Sequence, residues 1–188
     1  YYERSANGSM EYYSLSEQLK IKPLGSNVLY SIHTDSSFVY FQGEKTIYRY
    51  DGKKAQTLSF EYMIDASAVL HSILFVASRE SGLFMLNGSM FVRVPGSEML
   101  LNKKVVSLLP FSRNKVLIVT AFDGAYLYDG VTVVPFATGI DDFLKSNQVF
   151  CAATNGEKVV YGTVQRGLAI QDLADESVMF VNIFSGLQ

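Results

Sequence analysis

Residues 116–130 decide the fold: Val116-Leu117-Ile118-Val119-Thr120-Ala121-Phe122-Asp123-Gly124-Ala125-Tyr126-Leu127-Tyr128-Asp129-Gly130. The stretch opens on four consecutive aliphatic residues, a run that suits a strand covered on both faces. A short loop ending at Gly124 follows, then a second apolar strand, then Asp129-Gly130. Asx-Gly fits the positive φ angles of a two-residue hairpin turn, so the stretch reads strand, loop, strand, turn. Thr132–Phe136 supplies a strand beyond the turn and Val105–Leu109 one before the loop. The unit therefore has four short strands.

The same punctuation recurs along the chain. Asx-Gly dipeptides stand at Asn7-Gly8, Asp51-Gly52, Asn87-Gly88 and Asp129-Gly130, their glycines 44, 36 and 42 residues apart. Between them runs a second turn series, Asp35-Ser36, His71-Ser72, Arg113-Asn114 and Asn155-Gly156, at steps of 36, 42 and 42. A third, Gly82, Gly124 and Gly167, steps by 42 and 43. Three independent series in one register mark a repeat of about 40 residues.

The second strand of every unit is a continuous apolar run: Phe38–Phe41, Ile73–Ala77, Val116–Val119 and Val159–Tyr161. The fourth strand instead alternates, with Leu58, Phe60 and Tyr62 on one face and Thr57, Ser59 and Glu61 on the other. Pro95 and Pro135 are expected in this fourth strand, where an outer edge tolerates a missing N–H. Strand two is thus central and strand four peripheral. Four-stranded units of about 40 residues, stacked face to face, are what β-propeller blades require. A doubly wound α/β fold needs long helices between strands, and the sole candidate, Ala137–Asn147, has room for one short helical turn. A β-sandwich is the alternative architecture, but its strands need no sequence-level repeat. The expectation is an all-β propeller of about four antiparallel blades, at 25–63, 64–102, 103–147 and 148–188, with a partial blade at 1–24 whose residues Tyr1–Leu15 form a hairpin.

Composition narrows the function classes. The chain has 188 residues, 48% hydrophobic and 18% charged, which suits a folded domain and not a disordered one. Sixteen Lys and Arg against eighteen Asp and Glu give a net charge of −2, so the basic excess of a nucleic-acid binder is missing. One cysteine and two histidines rule out a disulfide framework and argue against a multi-histidine or cysteine-cluster metal site. No cofactor is expected. Apolar runs stop at about five residues, far short of the ~20 a membrane helix needs, so no membrane contact by this piece is expected. The chain opens on Tyr1-Tyr2-Glu3-Arg4, like the inside of a strand. It ends at Phe184-Ser185-Gly186-Leu187-Gln188 without a polar tail. It is expected to be an excised piece of a longer protein, an open arc whose uncovered terminal blades self-associate or meet neighbouring blades of the parent.

The fourth unit carries a family likeness. Asn147-Gln148-Val149, the Asn155-Gly156 turn and Tyr161-Gly162-Thr163-Val164-Gln165-Arg166-Gly167-Leu168 resemble the two-component regulator propeller repeat. That repeat runs Asn-x-Val, a short Asx-Gly turn, then Trp-Ile-Gly-Thr-x-x-Gly-Leu. Tyr161 stands where the repeat has tryptophan, and three residues separate Thr163 from Gly167 where it has two. The second unit keeps Gly82-Leu83, with Ala77-Ser78 at the Gly-Thr position, and the third keeps Thr120 and Gly124. The opening Tyr1–Arg4, Asn7-Gly8 and Tyr12–Leu15 are similar to the outer half of a preceding blade. The resemblance implies a periplasmic sensor region of an inner-membrane regulator. Its histidine kinase or DNA-binding output, and hence control of transcription, would lie outside this chain, and many such regulators govern polysaccharide use. Trp-marked quinoprotein or WD-type blades are not matched, since the chain has no tryptophan. No sialidase Asp-box, Walker loop or Gly-x-Ser-x-Gly elbow occurs.

Most chemistry-bearing residues have a structural explanation at this stage. Cys151, in the apolar run Val149–Ala153, is expected to be a buried inert thiol. His33 and His71 have no second ligand at metal-site spacing. Asp141-Asp142 suits a helix N-terminus ahead of Phe143-Leu144. Lys103-Lys104 reads as a solvated loop, and Ser78, Thr120 and Thr163 as hydroxyls bracing their loops. The candidate ligand contacts lie in the loops between strands two and three: Gln42–Lys45, Ser78–Ser81, Thr120–Asp123 and Thr163–Arg166. Arg79, Glu80, Phe122, Asp123, Gln165 and Arg166 combine charge, amide and aromatic face, as sites for oligosaccharides or small molecules do. No paired carboxylates or histidines recur at these tips, so a binding role without catalysis is the expectation. A propeller glycosidase or lyase, or a generic protein-interaction propeller, are the alternatives.

Overall fold

The computed structural model describes residues 2–14 and 28–182 and divides into two compact units, Tyr1–Glu61 and Tyr62–Gln188. In the first unit β1 (Tyr2–Arg4) and β2 (Met10–Tyr12) form an antiparallel hairpin around Asn7-Gly8, with Gly8 at φ 87°. The expected extension of this hairpin to Leu15, and the remainder of the partial blade to residue 24, lie outside the described residues. The same unit holds a four-stranded sheet of β3 (Ser31–Thr34), β4 (Val39–Gln42), β5 (Thr46–Tyr50) and β6 (Ala55–Ser59).

The second unit holds three more sheets. They comprise β7 (Ala66–Leu70) to β10 (Met90–Arg93), through β8 (Ile73–Ser78) and β9 (Gly82–Asn87); β11 (Val105–Pro110), β12 (Val116–Thr120), β13 (Ala125–Tyr128) and β14 (Val133–Phe136); and β15 (Val149–Thr154), β16 (Lys158–Thr163), β17 (Leu168–Asp172) and β18 (Val178–Val181). A 3₁₀ turn, Ser97–Leu100, follows β10, and a six-residue helix α1, Asp141–Ser146, follows β14. Every four-stranded sheet is an antiparallel meander with its strands in chain order. The first strands β7, β11 and β15 lie beside one another, as strands around a propeller hub do. The architecture is a β-propeller.

The apolar second strands explain the stacking. Alternate side chains of β12 point to opposite faces: Val116 and Ile118 join Phe75 and Ala77 of β8 in one core, while Leu117 and Val119 join Val159 and Tyr161 of β16 in the next. Every residue of β12 is buried. Tyr161, at the position where the resembled repeat has tryptophan, is fully buried and donates its hydroxyl to Gln171 Oε1 at 3.2 Å. Burial, with the Asp141 charge as a lesser cause, pushes its pKa well above the ordinary tyrosine value.

All three turn series fall where the spacing placed them. Gly52, Gly88 and Gly130 have positive φ between third and fourth strands, and His71-Ser72 turns β7 into β8 with φ 52° and 62°. Two expectations are corrected. Pro95 is not in a fourth strand: β10 stops at Arg93, and Pro95 begins the turn into the 3₁₀ segment, where its carbonyl accepts the Val133 N–H at 2.9 Å. Pro135 does lie in the outer strand β14, opposite Tyr126. Cys151 is exposed, not buried. An irregularity in the β15–β16 register between Val149 and Cys151 turns Cys151 toward Gly162, on the face away from the Val159–Tyr161 core.

Candidate functional site

Three of the loops between second and third strands, in the second, third and fourth sheets, are braced by a hydroxyl. Thr120 Oγ1 donates to the Gly124 carbonyl at 2.7 Å and accepts the Asp123 N–H at 3.0 Å. Thr163 Oγ1 repeats this with Gly167 at 2.9 Å and the Arg166 N–H at 3.0 Å. Ser78 Oγ accepts the Glu80 N–H at 3.2 Å. Each glycine then enters the third strand at positive φ: 93° at Gly82, 77° at Gly124 and 74° at Gly167. A Cβ at Gly82 would sit 2.5 Å from the Ser97 carbonyl, and one at Gly167 would strike that of Val181. These are therefore braced platforms for three tip residues each.

The six candidate residues occupy the tips and part company there. Arg79, at the first tip position, donates its backbone N–H to Asp65 Oδ2 at 2.7 Å and its Nε to Oδ1 at 2.9 Å, and its Nη2 pairs with the same carboxylate. That hydrogen bonding raises the Arg79 pKa against the opposing effect of burial, with the Asp65 charge adding to the rise. Glu80 Oε1 accepts the Met63 N–H at 3.2 Å. Both side chains tie their loop to the start of their own sheet. Phe122 is 54% exposed. Asp123 is half-buried near Tyr126, whose pKa is raised by burial first and the Asp123 charge second. Gln165 and Arg166 are exposed.

Arg166 also lines a cleft of about 540 Å³, shared with Phe143, Ser146, Asn147, Phe180 and Asn182. Helix α1 delivers Phe143 and Ser146, its C-cap is Asn147, and β18 delivers Phe180. The Phe143 and Phe180 rings lie 4.8 Å apart at 57°. Asn147 Nδ2 donates to the Phe143 carbonyl at 2.9 Å, which orients its Oδ1 as an acceptor. An aromatic floor beside a guanidinium and amides can seat a sugar ring and fix its polar substituents. The expected helix start at Asp141-Asp142 is observed, and Asp141 Oδ2 accepts the Thr138 N–H at 3.1 Å. Sequence reading missed Phe143, Asn147 and Phe180; the signal it left unused is that Phe143 and Asn147 are four apart across a helical turn. Lys103, expected in solvent, donates to the Met99 carbonyl at 2.6 Å and lies 5.8 Å from the Tyr126 ring.

A second cleft, of about 610 Å³, lies at the other end of these sheets among Pro110, Phe111, Ser112, Thr154, Asn155, Gly156 and Leu173, and none of these described residues is charged. Among the described residues no group of three or more His, Cys, Asp or Glu could hold a metal ion. No helix among them is long and apolar enough to cross a membrane.

The sequence matches no family model, and no curated protein matches it significantly. Solved structures do resemble it. The extracellular domain of a protein described as a hybrid two-component system from B. thetaiotaomicron superposes with a TM-score of 0.65 at 19% identity, over 85% of this chain and 25% of that one. The WD40 β-propeller domain of Doa1 gives 0.61 at 16%, over 82% and 54%. A catalytically inactive virginiamycin B lyase from Staphylococcus aureus, with quinupristin, gives 0.64 at 9%, over 88% and 56%. The chain spans a quarter of the first protein's length and about half of the others'. At these identities the likeness carries the fold.

Proposed function

We propose that this chain is a ligand-sensing propeller segment from the extracytoplasmic, periplasmic region of a membrane-spanning signal-transduction regulator, with its histidine kinase or DNA-binding output elsewhere in the parent. The observation that carries the reading is the Phe143–Phe180 cleft with Arg166 at its rim. It offers ring faces, a cation and amides and, among the described residues, no carboxylate pair for acid–base chemistry. The repeat in the fourth unit and the likeness to a two-component extracellular domain support the same class. A saccharide is the favoured ligand, because its ring has apolar faces and a polar rim.

The test is calorimetric titration of the chain with a panel of neutral and acidic oligosaccharides. Arg166→Ala and Phe180→Ala should each weaken binding of the best ligand by about tenfold or more, with melting temperature unchanged. Arg79→Ala should lower the melting temperature and leave affinity near that of the parent. A panel without a binder, or binding indifferent to Arg166 and Phe180, would overturn the reading.

A further inference from the structure

We infer that the cleft between α1 and β18 takes an acidic saccharide, one whose ring carries a carboxylate or a sulfate ester, and that Arg166 reads the charge. The inference rests on the saccharide reading of that cleft and narrows it to one class of sugar. Two arginines in equivalent loops differ in their partners. Arg79 is neutralised by Asp65, which accepts hydrogen bonds from its Nε and its backbone N–H. Arg166 is exposed, and it is the one charged group among the described residues lining the cleft. Among the described residues no carboxylate pairs with it. Residues 183–188, which follow Asn182 in the sequence, include no Asp or Glu.

Position makes that charge usable. A surface arginine is ordinarily solvated, and its long side chain loses rotamer freedom on binding. Here the base of the side chain is already fixed. The Arg166 N–H donates to Thr163 Oγ1 at 3.0 Å, and Gly167 follows at φ 74°, so close to the Val181 carbonyl that a Cβ would strike it. The loop presents the guanidinium from a set point, which lowers the ordering cost of binding.

The charges of α1 are sorted in the same sense. Asp141 and Asp142 stand in its first turn and Lys145 in its last, the end that supplies Ser146 and, as C-cap, Asn147 to the cleft. Unpaired carbonyls at a helix C-terminus repel an anion. Asn147 offsets this, since its backbone N–H at 3.0 Å and its Nδ2 at 2.9 Å both donate to the Phe143 carbonyl. Phe180, packed on Phe143, is still 45% exposed and keeps a ring surface open to a ligand. A sugar ring can lie there with its anionic substituent against the guanidinium, whose planar fork matches two oxygens of a carboxylate or sulfate. A neutral sugar offers that fork hydroxyls alone, which are weaker acceptors.

The experiment is calorimetric titration of the full chain with matched pairs. Digalacturonate, diglucuronate and dimannuronate are each set beside the same disaccharide with its carboxyl groups reduced to primary alcohols, and a sulfated galactobiose forms the sulfate arm. The acidic member of the best pair should bind about tenfold tighter or more. Raising chloride from about 50 to about 500 mM should cut its affinity several-fold and scarcely move the neutral member. Arg166→Gln should shrink the ratio within the pair to about twofold or less, while Arg166→Lys, which keeps the charge without the fork, should retain part of it. Tighter binding of the sulfated sugar than of any uronate would assign the anion as a sulfate ester, and the reverse as a carboxylate. Neutral members that bind as tightly as their acidic partners would overturn the inference and leave the saccharide reading standing. So would a preference that survives Arg166→Gln or ignores salt. Binding by no member at all would bring down the saccharide reading, and this inference with it.

Discussion

Arg79 and Arg166 sit in equivalent loops, yet one is a structural tie and the other is open to solvent. The loops align at Ser78, Thr120 and Thr163, which puts Arg79 at the first tip position with Ala121 and Val164, and Arg166 at the third with Ser81 and Asp123. The first position lies against the entry to its own sheet, where Asp65 waits with its side chain 7% exposed. At the third, Ser81 is buried and Asp123 half-buried while Arg166 is exposed, and no ion pair involving Arg166 is found among the described residues. The Thr120 hydroxyl deserves its own test. It is fully buried and bonded to two backbone groups, so Thr120→Val should cost about 1–2 kcal/mol, while Thr120→Ser should recover most of it. Chemical denaturation of the three proteins checks this, and a neutral Thr120→Val would show that the hydroxyl braces nothing.

At the scale of the turn and the strand, the Asx residues couple the hairpins to pH. Asp51 accepts backbone N–H bonds from Lys54 at 2.7 Å and Lys53 at 2.8 Å; Asp129 does so from Thr132 at 2.9 Å and Val131 at 2.8 Å. These bonds hold both carboxyl groups below the usual 3.8. A carboxylate with a lowered folded-state pKa contributes stability that is fully present above 3.8 and is lost as pH falls through the folded value. Melting temperature should therefore fall as pH drops below about 4. The double variant Asp51→Asn/Asp129→Asn, which keeps the acceptor oxygens, should show a shallower fall. Equal slopes for both proteins would remove these turns from the acid response.

These elements also show what the letters could reveal. A hairpin turn and a doubly covered strand are local demands, met by Asp129-Gly130 and Val116–Val119 within the span that announces them. Pro95 was misplaced because Val94 continues the alternation of β10 while Gly96, at φ 73°, already bends the chain away. Cys151 was misjudged because its neighbours are apolar and its exposure depends on whether a further sheet lies over it. The cleft was invisible because Phe143 and Phe180 are 37 residues apart in sequence and meet only when the fourth sheet folds back on α1.

For the chain as a whole, the meander topology has a consequence for folding. Each four-stranded sheet is built from about 30 contiguous residues, so its ladder hydrogen bonds are local in sequence and form without long loop closures. Unfolding of such repeats proceeds by units coupled to their neighbours. The strand β12 contributes to two cores, whereas among the described residues β16 contributes to one, through Val159 and Tyr161. Amide hydrogens of Leu117, Ile118 and Val119 should then exchange with deuterium more slowly than those of Val159, Val160 and Tyr161, with the outer strands β10, β14 and β18 exchanging first. Uniform exchange across the four sheets would show instead that they open as a single body. The graded pattern would make the central strands β8 and β12 the last parts of the second unit to lose their structure, and a protease would cut the outer strands before them.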